Sequence, residues 1–314
     1  MISVSNQMYV YIYVLLTFGF LNSVFRQREG LFEASHLHQH QPGRMVSPSW
    51  FETVSSPENE DCKLHSAQAL RAFHEGKTTT REAASAITHP IAILPPNQLT
   101  LERNGLWSVL ISAFIDWSRS ETPALLQLLK AIQQVPDPVI REEAKLSVGN
   151  GSFWDGLPGF GHMWADEFER REILRLSAGQ DVNDNDRREL REKYVRAAEL
   201  EATFCDQKIG GMDLKYGYER ITDALERRDA VRDIEILMAA EWLRSLPGRI
   251  YEGALKQEEG WPFKRGMNLW TGGNLTVERW QWWKNRLEEY VREGLPGGDS
   301  VWATVQAMDA VEIK

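Results

Sequence analysis

The most template-like spacing in the chain belongs to five oxygen-bearing residues. Asp181, Asn183, Asn185, Glu189 and Glu192 fall where a calcium loop would carry its ligands, between two helical segments. Calcium is held by a cage of about six to eight hard oxygens, closed by a bidentate Glu. Asp186 stands where the loop needs its turn glycine, and Arg188 where an apolar residue is usual. An acidic first turn complementing a helix dipole accounts for the same residues more simply. Asp155, His162, Asp166 and Glu167 form a second group, able to do acid–base chemistry if they share a cleft; a single exposed helix face explains them as well. The turn from Gly272 to Thr276 opens a helix, so its backbone amides could meet an anion. Glu278 and Arg279 read equally as a capping carboxylate and a surface cation.

Other patterns fail on inspection. His36, His38 and His40 alternate in HLHQH, which would set three imidazoles on one side of an extended segment and suit a transition metal. No carboxylate or cysteine nearby completes the shell, so a solvated polar tract is the simpler reading. Gly76-Lys77-Thr78 has Arg71 where a phosphate loop needs glycine, and a helix precedes it where a strand is needed. Gly156, Gly159 and Gly161 have the wrong order for a dinucleotide fingerprint. With no His-Glu-x-x-His, no Gly-x-Ser-x-Gly and no Cys beside a His, the sequence assigns no catalytic residue and implies no cofactor. Whether the protein is an enzyme stays open.

Charge and cysteine usage narrow the field. Net charge is −9 with no basic stripe, so the phosphate-neutralising footprint of a nucleic-acid binder is missing. Cys62 and Cys205 are the only cysteines; they are far apart and lack a metal-ligand spacing, which points to a reducing compartment. Residues 8–25 are apolar and uncharged, at the short limit for a membrane span. They make a poor signal peptide, without a preceding basic residue or a small-x-small site. Arg26 and Arg28 follow directly, so an anchor here would leave the body of the protein in the cytosol. The alternative is a mispredicted gene start. Cytoplasmic localisation is expected, with a membrane attachment only through residues 8–25. The sequons at Asn150 and Asn274 matter only in a secreted chain.

The elements that must position these residues read as helices. Residues 26–58 form a polar linker without apolar periodicity, and residues 59–314 form one helical domain. Thr79 and Glu82 make a capping box. Leu106, Leu110, Phe114 and Trp117 line one helix face. Thr122-Pro123 starts a helix that Pro136 and Pro138 stop. Helical spacing from Leu190 to Cys205 runs to Gly210-Gly211, a natural terminator. Pro247 kinks or restarts a helix carrying Ile250, Tyr251 and Leu255. Thr276 caps a helix running to Gly294, and Asp299 or Ser300 caps the last. The expected fold is all-α, a single bundle of about eight to ten helices.

Three blocks carry a resemblance: Trp154-Asp155-Gly156-Leu157-Pro158-Gly159-Phe160-Gly161, then Ala239-Ala240-Glu241-Trp242, then Leu269-Trp270-Thr271-Gly272-Gly273 leading to Glu278-Arg279-Trp280-Gln281-Trp282-Trp283-Lys284. Their order and spacing, over about Leu64 to Val291, resemble the family catalogued as domain of unknown function 3632, found in filamentous ascomycetes. The resemblance implies an all-helical, intracellular protein and brings no catalytic residues. The chain departs from the pattern at Pro247, where members continue a helix, and at the hydrophobic N-terminus.

Trp280, Trp283 and Leu287, with Tyr290 or Val291, form a stripe that should bury against neighbouring helices, while Trp282 points elsewhere. A Trp–Arg patch is the composition of a protein-binding hot spot. The preferred expectation is a non-enzymatic interaction module that contacts another protein through Trp282, Arg279 and Arg286. The alternative is a small-molecule-binding protein or enzyme with its site near Asp155–Glu167 or Gly272–Thr276.

Overall fold

The computed structural model describes residues 48–56, 64–139, 151–168, 174, 178, 182–264 and 269–313. Residues 8–25, the HLHQH tract, Cys62 and Asp181 lie outside them. The described residues hold thirteen α-helices and one 3₁₀ turn. No strand occurs among them, and the one extended pairing is an isolated bridge between Glu259 and Asn274. The all-α expectation holds, with more helices than expected. The excess comes from short pieces such as Trp261–Lys264, which are too brief to generate a periodic pattern.

The first layer comprises α1 (Pro48–Val54), α2 (Leu64–His74), α3 (Thr80–Ala92), α4 (Pro96–Asp116) and α5 (Thr122–Gln133). Helix α1 falls inside the stretch expected to be a polar linker. Phe51 and Val54 are buried there, and Trp50 donates from Nε1 to Asp116 Oδ2 at 3.1 Å while its ring meets Trp117 edge-on. One aromatic pair thus docks a helix that composition alone does not reveal. Thr79 and Glu82 form the expected capping box at α3. Before α5 a second box intervenes, Ser118 with Glu121 on the 3₁₀ turn Arg119–Glu121. Thr122 is thereby released from capping, and its hydroxyl accepts from Arg196 instead.

The second layer comprises α6 (Phe160–Phe168), α7 (Asp184–Gln207), α8 (Leu214–Leu225), α9 (Arg232–Ser245), α10 (Pro247–Leu255), α11 (Trp261–Lys264), α12 (Val277–Arg292) and α13 (Gly298–Glu312). Helix α9 is the hub, packing on α7, α8 and α13. Every residue from Ile234 to Leu243 is buried, as expected of a helix enclosed on all sides. Pro247 sits in the first turn of α10, where its missing N–H costs nothing. Helix α7 ends with Lys208 in the left-handed region (φ 56°). The last helix starts from Gly297 at φ 81° without a side-chain cap, so Asp299 and Ser300 lie inside it rather than capping it. Among the described residues, no helix is long and apolar enough to cross a membrane.

Candidate functional site

The third sequence block is organised around one buried arginine. Thr276 caps α12 by accepting from the Arg279 amide at 3.2 Å, and that first turn sets Arg279 four residues before Trp283, on the buried side. Arg279 is fully buried. Its Nε and Nη2 each donate to a different oxygen of Glu226 at 2.6 Å. Its Nη1 donates to the carbonyls of Gly272 at 3.2 Å and Asn274 at 3.1 Å. Glu226, also fully buried at the end of α8, accepts a further bond from Trp283 Nε1 at 2.7 Å. Phe263, Trp270 and Trp283 surround the guanidinium. Burial pushes the Glu226 carboxyl above its usual range, against the opposing pull of Arg279 and Trp283. A buried ion pair survives only when its remaining donors and acceptors are met, and here the turn supplies them.

This geometry corrects two expectations. Arg279 is not part of a contact surface, because its charge is spent inside on Glu226. The Gly272–Thr276 turn is no anion cradle either, since it aims the Gly272 and Asn274 carbonyls at Arg279. Asn274 is tied to Glu259 by the isolated bridge, and the Thr276 hydroxyl of its sequon is occupied as a cap. What reaches solvent is the outer side of α12. Trp282 is half-buried, and its ring lies 5.6 Å from that of Trp270, tilted by 50°. The Arg286 guanidinium sits 5.8 Å over Trp282 and pairs with Glu289. Trp282 and Arg286 are therefore together as expected, with Trp270 in the place assigned to Arg279.

A second buried carboxylate, which sequence reading missed, ties the second block to α6, the helix that begins at the end of the first. Glu201 on α7 is fully buried. It accepts from Trp164 Nε1 at 3.0 Å, from Trp242 Nε1 at 3.2 Å and from Arg220 at 2.7 and 3.1 Å. Beside it, Phe168, Leu174, Arg220, Asp223, Glu235 and Met238 line a cleft of about 10 Å³, room for roughly one water. A family model described as a protein of unknown function, DUF3632, matches residues 107–287, more than half of the chain. The chain belongs to the DUF3632 family. No curated protein and no solved structure matches it.

The segment shared with DUF3632 contains both carboxylate centres, so the tryptophans of its blocks are largely core residues with a polar end to satisfy. Its glycines have a separate reason. A Cβ on Gly161 would lie 2.3 Å from the Gly210 carbonyl oxygen, so the start of α6 meets the turn after α7 backbone to backbone. The acid–base group does not assemble: Asp155 and His162 are exposed, His162 and Asp166 are 3.6 Å apart in solvent, and Glu167 is paired with Lys193 at 3.2 Å.

The calcium template also dissolves into a helix start. Asn183 caps α7, accepting from the amides of Asn185 and Asp186 at 3.0 Å. Asn185, Glu189 and Glu192 follow on the helix itself, with Asn185 Nδ2 donating to Glu189 at 2.8 Å. A helix carries these oxygens outward instead of wrapping them round an ion. Among the described residues, no group of three or more His, Cys, Asp or Glu is placed to hold a metal.

Proposed function

We propose that this DUF3632 protein is a non-enzymatic interaction module that binds another protein through Trp282, Trp270 and Arg286. One observation carries the reading: two tryptophan rings in contact at the surface, one of them beneath a guanidinium. Half-buried Trp and Arg in a packed cluster is the composition that dominates binding energy at protein interfaces. Asp155, His162 and Asp166, which one enzyme reading needs, lie exposed, and Glu167 is paired with Lys193. The low cysteine count and the family resemblance support placing the protein in the cytoplasm of a filamentous ascomycete.

The test is co-purification of a defined partner with the full chain, followed by quantitative binding. Trp282→Ala should weaken that binding by about 30-fold or more, a hot-spot loss of roughly 2 kcal/mol, with the helical circular dichroism retained. Trp302→Ala, at an exposed aromatic on α13, should leave it unchanged. A partner held equally by the Trp282→Ala variant would refute the assignment.

A further inference from the structure

The arginines of this protein use one grip repeatedly. Arg187, Arg220 and Arg279 each present the Nε and Nη2 edge of the guanidinium to a carboxylate, of Asp233, Glu201 and Glu226 respectively. Two parallel donors on a planar fork match the two oxygens of such an anion. Arg196, Arg232 and Arg286 leave a buried Nε unmet but still pair with a carboxylate through Nη1. Arg103 on α4, in contrast, pairs with none among the described residues. It is 6% exposed, and its Nη1 donates to the Phe153 carbonyl at 3.2 Å. Its guanidinium lies 4.5 Å over the Phe153 ring. The Nε is buried without an acceptor, and the Nε–Nη2 edge grips no carboxylate among the described residues. Asp137, the carboxylate that ties down the neighbouring loop, gives its oxygens to Ser152 Oγ and the Trp154 amide. Trp154, whose ring meets that of Phe153 edge-on at 4.7 Å, also has a buried indole N–H without an acceptor. Burial with no countercharge pulls Arg103 below its ordinary value. Buried charges in proteins are normally paired, and an unmet buried donor costs free energy. The Nε–Nη2 edge of Arg103 has no such countercharge among the described residues.

We propose that the Arg103 fork, stacked on Phe153, binds a small oxyanion with two oxygens to offer, a carboxylate or a phosphate. The site is separate from the Trp270–Trp282 surface and is independent of its role. Recognition runs through the planar fork and not through net charge, so a halide does not substitute.

Thermal unfolding of the full chain is measured against sodium acetate and sodium phosphate titrations, with sodium chloride at equal ionic strength as reference. One oxyanion should raise the melting temperature saturably, by about 5 °C when it is at 100 times its Kd. Whichever of the two acts identifies the ligand class. Arg103→Lys retains the charge but loses the fork, and should lose this rise while unfolding cooperatively. In parallel, spectra of the unaltered chain labelled with ¹⁵N-arginine should show one Nε–H resonance moving with the titration, an outcome that does not depend on any variant folding. No rise above the chloride reference, an equal rise in Arg103→Lys, or an unmoved Nε–H spectrum would each overturn the proposal.

Discussion

Removing the Arg279 side chain tests the reading of the third block most directly. In Arg279→Met the Glu226 carboxylate keeps its burial and loses both guanidinium bonds of 2.6 Å. Breaking a buried pair from one side costs about 3–5 kcal/mol. The loss of donors to Gly272 and Asn274 puts this case at the upper end. At roughly 2 °C per kcal/mol for a domain of this size, the melting temperature should fall by about 6–10 °C. The deficit should depend on pH in a definite sense. Burial already raises Glu226, and without Arg279 its folded-state pKa rises further above the unfolded value of about 4.3. The folded variant then binds the extra proton, so its stability falls as pH rises from that value through the folded pKa. The variant should recover part of its deficit on going from pH 8 to pH 5. In Arg279→Met/Glu226→Leu no stranded charge remains, and the double variant should cost at least about 2 kcal/mol less than the sum of the singles. Urea unfolding at both pH values supplies every number. A single-variant cost below about 1 kcal/mol, additive singles, or a deficit that grows toward pH 5 would refute the coupling.

Two further outcomes are expected. Burial opposes ionisation of Asp233, but bonds from Arg187 and Arg191 overcome it and hold the carboxyl below its usual range. Its contribution is therefore present above the unfolded pKa of about 3.9 and lost as pH falls through the folded value, so Asp233→Asn should cost about 2 kcal/mol at pH 7 and progressively less in acid. Gly161→Ala should cost about 1–3 kcal/mol or more in chemical denaturation, because the new methyl meets the Gly210 backbone, which cannot swing aside as a side chain could.

Local grammar made much of this fold legible. The Thr79–Glu82 box, the Thr276 cap and the proline-led start of α10 each depend on residues within one turn of each other, and each stands where the sequence puts it. The stripe of Trp280, Trp283, Leu287 and Tyr290 is buried as its spacing requires. The failures lie where the deciding partner is distant. Arg279 looks like a surface cation because Glu226 is 53 residues away, and nothing local announces the pairing. A signal was present nonetheless: Arg279 lies one turn before Trp283 and two before Leu287, on the buried stripe itself. Asn183 is a case that local residues can decide, and the helix-start reading is the one that stands. Its one side-chain oxygen, Oδ1, accepts from the two amides that begin α7, and calcium-loop spacing and helix capping use the same residue types. The Arg103 fork left no mark in the sequence, since an unmet donor is defined only by what surrounds it in space.

The tryptophans tied to buried carboxylates give the molecule built-in clocks. The indole protons of Trp164 and Trp242 lie between a ring and Glu201, and that of Trp283 lies between its ring and Glu226. Each can trade with solvent only when its own centre opens, and openings in a folded protein span a wide range of free energies. Three side-chain resonances thus time the opening of two separate parts of the core, without a label or a mutation. If Trp164 and Trp242 exchange together while Trp283 keeps a different rate, the two carboxylate centres breathe independently. One shared rate would mean that α8, which carries Arg220 against Glu201 and ends at Glu226, opens both at once.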